Sequence, residues 1–156
     1  MTLAIVHTRA QLGIQSPLVA VEVHLSGGLP SFAIVGMPET GVKESRERVR
    51  SSLLNSGFEF PARRITVNLA PADLPKEGGR YDLAIAIGIL IASKQLPQHC
   101  ADNFEFLAEL ALSGDLRAVS GALPVARCCR AAGRSLWLAV EGLQEARLVN
   151  GLQLFG

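Results

Sequence analysis

Aromatic residues are scarce in this chain: six Phe, one Tyr and one Trp among 156 residues. Hydrophobic residues nevertheless make up 49%, so the core has to be built from Leu, Val, Ile and Ala, which suit a mixed helix and sheet fold. Cysteine is also sparse, with Cys100, Cys128 and Cys129 and no CxxC. An odd count with one adjacent pair argues against a disulfide framework and fits a reducing cytoplasm. His7, His24 and His99 form no ligand quartet with these thiols, so no metal site is expected. Long apolar runs are missing: Leu83–Ala92 is about half the length that spans a bilayer, and the N-terminus lacks the pattern of a signal peptide. A soluble, cytoplasmic chain with no membrane partner is the expectation. Net charge is +1, so any contact with nucleic acid has to come from a local patch.

What is present is an ordered succession of short elements, long enough to bury a core as one domain over residues 1–156. Leu3–Thr8, Val19–Leu25 and Phe32–Val35 read as strands, and their succession predicts an antiparallel meander. Pro38–Ser56 reads as one helix ended by Gly57, with an inward stripe of Val42, Ser45, Val49, Leu53 and Ser56. Arg64–Leu69 alternates as a strand. Ala70–Gly79 is a Pro/Gly loop before Tyr81–Ser93, a helix apolar nearly all round, as expected of a buried element. Phe104–Leu112 is read as a strand turning into Leu116–Val119. The helix Gly121–Ala132, the strand Ser135–Val140 and the polar helix Glu141–Leu148 follow, and Leu152–Phe155 is a final strand or a connection. The order predicts an α+β (two-layer α/β) domain with helices packed on a mixed sheet.

Gly36 to Ser45, GMPETGVKES, comes within one residue of a phosphate-binding loop. A working loop of this kind is G-x-x-x-x-G-K-[ST]. Here Val42 intervenes between Gly41 and Lys43, and one residue on a helix is roughly 100° of rotation. Lys43 is thereby turned away from the cradle, and Glu44 sets a carboxylate near it. A strand-to-helix corner with an early proline accounts for the glycine and Pro38 without phosphate. An irregular anion cradle over Gly36–Lys43, sensing nucleotide, is the alternative.

The helix after this corner is dense in charge. Lys43, Arg46 and Arg50 share a face, with Arg63 and Arg64 at the start of the next strand. They form either a basic ridge for DNA phosphates or a solvated face softened by the i,i+4 pairs Glu39–Lys43 and Glu44–Arg48. A second concentration is Lys76–Asp82, where Asp82 suits a cap or first-turn acid. Catalysis from this loop, with Lys76 as a base, requires burial to lower its pKa by several units. Cys128 and Cys129 lie mid-helix with no histidine nearby in sequence and read as structural thiols. No serine sits in a G-x-S-x-G setting.

The pieces GMPETGVKESRERVRSSL, ITVNLAPADLPKEG and YDLAIAIGIL are long and ordered, and the chain they span resembles the N-terminal domain of the ComM/YifB family, Mg-chelatase-like AAA+ ATPases of bacteria. The resemblance implies a Lon-protease-like domain of the ribosomal-protein-S5-domain-2 type, placed ahead of an AAA+ motor expected after residue 156. It implies a parent that is a hexameric ring, binds ATP and Mg in its motor, and drives branch migration of DNA in transformation. Against the protease pattern, Pro75–Asp82 puts Arg80 at the serine position and Ala108–Leu123 puts Leu123 at the lysine position. A Ser–Lys dyad needs a hydroxyl and a neutral amine, so the protease chemistry is lost. No catalytic, cofactor-binding or metal residue is expected in this segment. Its partners are expected to be the motor of the same chain, further copies in a ring, and DNA. The candidate DNA or assembly contacts are Lys43, Arg46, Arg50, Arg63, Arg64, Lys76 and Arg80. A residual Lon-like hydrolase and a nucleotide-sensing module are the alternatives.

Overall fold

A computed structural model describes residues 2–36, 38–149 and 151–156. Seven strands form one mixed sheet: β1 (Thr2–Arg9), β2 (Leu18–Ser26), β3 (Ser31–Val35), β4 (Arg64–Ala70), β5 (Phe104–Leu107), β8 (Ser135–Leu138) and β9 (Leu154–Phe155). They lie in the order β3-β4-β2-β1-β5-β8-β9. β6 (Glu109–Leu110) and β7 (Leu116–Arg117) pair as a separate antiparallel ribbon. The helices are α1 (Thr40–Lys43), α2 (Ser45–Asn55), α3 (Asp82–Ala92), α4 (Ala122–Ala132) and α5 (Leu143–Ala146). The predicted α+β architecture with a mixed sheet is what the structure shows.

The alternation read from sequence places the core. Val19, Val21, Val23 and Leu25 of β2 and Ile65, Val67 and Leu69 of β4 are buried on one face, because successive side chains on a strand point to opposite sides. α3 covers this face and α2 packs beside it against β3. Gly88 lets α3 come this close, since a Cβ there would meet Val23 Cγ2 at 2.5 Å. Across the sheet, Leu107 of β5 and Leu136 and Leu138 of β8 form a second cluster with Val125, Ala126 and Cys129 of α4. The sheet is therefore covered on one face by α2 and α3, and on the other by α4 at its β5–β8 end.

Four expectations need correction. The early strands form no meander: β1 and β2 are antiparallel, but β4 inserts beside β2 and β3 pairs parallel to β4. Pairing of β3 with a strand thirty residues later satisfies an edge that local order does not reveal. The helix Pro38–Ser56 is two pieces: α1 ends and α2 begins at Glu44, where Arg48 N to Glu44 O lengthens to 3.5 Å. Its stripe closes at Leu53, 4% exposed, because Ser56 lies past the last turn and is exposed. Phe104–Leu112 is not one strand. The chain leaves the sheet at Ala108, whose carbonyl accepts from Leu83 N at 3.2 Å, while Leu110 N donates to Asp82 Oδ2 at 3.1 Å. The free amides and first acid of α3 redirect it.

Candidate functional site

The corner Gly36–Glu39 sits between β3 and α1, and Met37 within it lies outside the described residues. Gly36 adopts φ +107°, and a Cβ there would lie 2.3 Å from the Leu69 carbonyl oxygen. Backbone proximity to β4 therefore demands glycine. Gly36→Ala is expected to lower stability by about 2–4 kcal/mol through left-handed strain and overlap with β4, read as a lower urea midpoint at unchanged slope. A carboxylate already caps the N-terminus of α1. Glu39 Oε1 accepts from Val42 N at 3.1 Å and from Gly78 N at 2.8 Å. A carboxylate of the chain thus occupies the position a phosphate needs. It comes from Glu39, not Glu44, which instead pairs with Arg48 at 3.6 Å. Lys43 is exposed.

The loop after β4 folds onto this corner. Lys76, 1% exposed, donates from Nζ to Gly36 O at 2.6 Å and also to Pro71 O. Burial pushes its ammonium below the ordinary value of 10.5, with Asp73 pulling the other way. Its role is to tie the loop to the end of β3, so it is removed from any surface that meets a macromolecule. Arg80 is 5% exposed and donates from Nε to Arg9 O at 3.0 Å, and from Nη1 to Ser120 O at 3.1 Å and Gln11 Oε1 at 3.3 Å. It too is withdrawn from the surface.

These bonds bring together the two segments that the protease resemblance pairs. A cleft of about 490 Å³ lies between them, lined by Glu39, Glu77, Arg80, Glu109 and Ser120 among others. Its guanidinium accepts no proton at neutral pH, and Ser120 Oγ donates to Gln11 Oε1 at 2.8 Å. Leu123 is half-buried against the α4 cluster, and its amide donates to Glu145 Oε1 at 3.0 Å. No amine stands beside the hydroxyl in this lining, so a Ser–Lys pair is not assembled there.

Asp82 is fully buried and joins three elements. It accepts from Arg48 Nε at 2.6 Å, from Ser45 Oγ and from Leu110 N. Burial pushes its carboxyl up, and Arg48 and Ser45 draw it back. It is a first-turn acid as read from sequence, but it caps β6 rather than its own helix. Glu105 is the other buried hub. Arg9 donates to it at 2.7 and 3.0 Å and Arg134 at 2.9 Å. Burial and the Glu105 charge raise the Cys129 thiol, which makes Cys129 a structural, unreactive cysteine.

The arginines fare differently. Arg46 and Arg50 on α2 and Arg63 before β4 converge on a cleft of about 520 Å³ floored by Phe32 and Phe60. Arg50 lies over the Phe60 ring, 5.7 Å from its centroid, and the two phenyl rings are 5.7 Å apart. Phe60 is held by its loop: Glu59 N donates to Gln95 Oε1, and Gln95 Nε2 donates to Glu59 O, both at 2.9 Å. Glu47 is the acid in the lining. Among the described residues Arg46, Arg50 and Arg63 take part in no ion pair. Lys43 and Arg64 are exposed but lie outside this lining. The ridge read from sequence thus divides: three arginines meet, and Lys43, Arg64, Lys76 and Arg80 do not join them. Phe32 and Phe60 escaped the sequence reading because they come from strand and loop on opposite sides of α2.

The family of subunit ChlI of Mg-chelatase matches residues 21–141, from β2 through α4 and β8. The chain belongs to that family. Its relatives include the competence protein ComM of Haemophilus influenzae, 57% identical over 150 residues, which cover 96% of this chain and 30% of that protein. The uncharacterized protein YifB of Escherichia coli is 56% identical over 97% of the chain and 30% of its own length. An uncharacterized protein of Mycobacterium tuberculosis is 39% identical over 92% of the chain and 29% of its length. The chain spans about three tenths of the length of these relatives. No helix among the described residues is long and apolar enough to cross a membrane.

Proposed function

We infer that this chain is a non-catalytic module of a larger, ComM-like ATP-driven DNA-processing protein, in which it engages nucleic acid and takes part in assembly. A hexameric AAA+ motor binding ATP and Mg, and acting in DNA branch migration, is the parent activity proposed from the kinship to ComM. The observation that carries the nucleic-acid part is the cleft in which Arg46, Arg50 and Arg63 converge over Phe32 and Phe60 with no ion-pair partner among the described residues. Cations that track phosphates beside an aromatic floor are what single-stranded nucleic acid needs. Support for a non-catalytic role comes from Arg80, Leu123 and Lys76: Arg80 holds Arg9 O and Ser120 O, Leu123 packs on the α4 cluster, and Lys76 is tied to Gly36 O.

Fluorescence anisotropy with a labelled single-stranded oligonucleotide tests the nucleic-acid part. Binding is expected to weaken as salt rises, and the double reversal Arg46→Glu with Arg50→Glu is expected to reduce affinity at least about tenfold at low salt. Unchanged affinity in the reversal would remove DNA from the proposal and leave assembly.

A further inference from the structure

Half of the aromatic residues in this aromatic-poor chain gather at one place. Phe104 and Phe106 on β5 and Trp137 on β8 point to the face that carries α3, and Phe155 on β9 stacks on Trp137 with centroids 4.5 Å apart. Phe104 lies 5.8 Å from Phe155 and 6.5 Å from Trp137. These four are three of the six Phe and the single Trp of the chain. Phe104, Trp137 and Phe155 are only half-buried.

The exposure has a structural cause. On this face α2 and α3 lie side by side over β3, β4, β2 and β1, and the next position in that layer, over β5, β8 and β9, is filled by no helix among the described residues. What remains is a groove of about 460 Å³. Leu83 and Ile87, one turn apart on α3, form its wall, and Leu116 of β7 closes its rim. Among the described residues no charged or amide side chain lines it. A nucleic acid or a charged metabolite finds no partner in such a lining, whereas the apolar stripe of a helix does. A helix laid beside α3 at an interaxial distance of roughly 8–10 Å would complete the layer.

We propose that this groove is the docking site for an amphipathic helix from the part of the full-length protein that lies outside residues 1–156, seated against Leu83, Ile87 and the aromatic floor. It rests on the inference that the chain is one module of a longer protein. The matched relatives carry about seven tenths of their length outside the shared region. A partner in the same polypeptide meets the groove at the high effective concentration that covalent linkage provides. β9 lies beside the groove, its Phe155 stacked on Trp137 of the lining. A half-exposed tryptophan that a partner covers among aliphatic side chains is also the composition that carries energy in protein interfaces.

Two cysteines make this testable. Cys100 lines the groove, whereas Cys128 lies on α4 across the sheet, and both are half-buried. Maleimide labelling of each, followed by peptide mass spectrometry, is to be compared between the 156-residue chain and the full-length natural polypeptide. Cys100 is expected to react at least about tenfold more slowly in the full-length protein, the protection given by a docked element that opens only transiently, with Cys128 unchanged. Ile87→Glu, and independently Leu116→Asp at the rim, should restore the Cys100 rate in the full-length protein while Cys128 stays as it was. Equal Cys100 rates in the two polypeptides, or protection that survives both variants, overturns the docking site. Protection in the 156-residue chain that grows with concentration overturns it in favour of a second copy. A natural polypeptide no longer than 156 residues overturns the module reading itself.

Discussion

Replacing Asp82 with alanine is expected to lower the stability of this chain by about 3–5 kcal/mol, the cost of stranding a buried charge. Three groups lose their acceptor at once: the Arg48 guanidinium, whose side chain is 19% exposed, the Ser45 hydroxyl and the Leu110 amide. Arg48 retains Gly41 O and the exposed Glu44, and a pair at 3.6 Å with an exposed carboxylate contributes little. Asp82→Asn is expected to be nearly as severe, because it keeps the shape and removes the charge facing Arg48. Combining Asp82→Asn with Arg48→Met should recover part of the loss, since removing both partners leaves no stranded charge. Urea unfolding measures the stability, and amide exchange at Leu110 reports the local effect. A loss under about 1 kcal/mol for the alanine variant, the scale of a surface pair, would mean that this triad does not hold α2 to α3 and β6. The consequence reaches the cleft, because α2 carries Arg46 and Arg50.

Glu105→Gln is expected to cost a similar amount, about 3–5 kcal/mol. The carboxylate is fully buried and faces two arginines, Arg9 and Arg134. Amide substitution leaves two guanidinium groups sharing one neutral acceptor. Here the pH dependence is diagnostic. Burial alone would raise the Glu105 carboxyl, but hydrogen bonds and charge from Arg9 and Arg134 hold it below its ordinary value of 4.5. An acid bound more tightly as its anion in the fold contributes stability that is complete above that ordinary value. That contribution disappears as pH falls from there through the lower, folded value. The gap between the native chain and Glu105→Gln should therefore be widest above pH 4.5 and should narrow on acidification. Asp82, whose carboxyl burial pushes up, is common to both proteins and cancels in the difference. A gap that stays constant down to pH 2 would show that the two arginines do not depress this carboxyl.

Much of the fold was legible along the chain because it rests on local periodicity. The alternation in Val19–Leu25 and Arg64–Leu69 and the continuous apolar run Leu83–Ala92 each identify an element without reference to any other. The misplaced boundaries share a cause: each is set by a group distant in sequence. Phe104–Leu112 breaks because Ala108 and Leu110 bond the start of α3, and the helix after Gly36 divides beside the residues that reach Asp82. The candidate site was read as a line of charges on one helix and its successor. Arg46 and Arg50 could be paired by helical spacing. Arg63, Phe32 and Phe60 join them only when β3 and β4 lie side by side. Lys76 and Arg80 look like surface cations because charge normally stays in water. The carbonyls of Gly36, Pro71, Arg9 and Ser120 and the side-chain oxygen of Gln11, gathered from separate segments, make their burial tolerable.

By itself the sequence determined the class of fold, the elements that build its core and the family to which the chain belongs, since short-range pattern and ordered motifs carry all three. It also determined that neither a serine nucleophile nor a lysine base occupies the positions the protease resemblance would need. Only the tertiary structure decided which cations face outward and which serve as internal fasteners, where three arginines meet two phenyl rings, and that the aromatic residues of β5, β8 and β9 form one uncovered floor. Those outcomes depend on pairings between residues tens of positions apart. Side-chain hydrogen bonds and layer packing select such pairings, and no repeat along the chain encodes them.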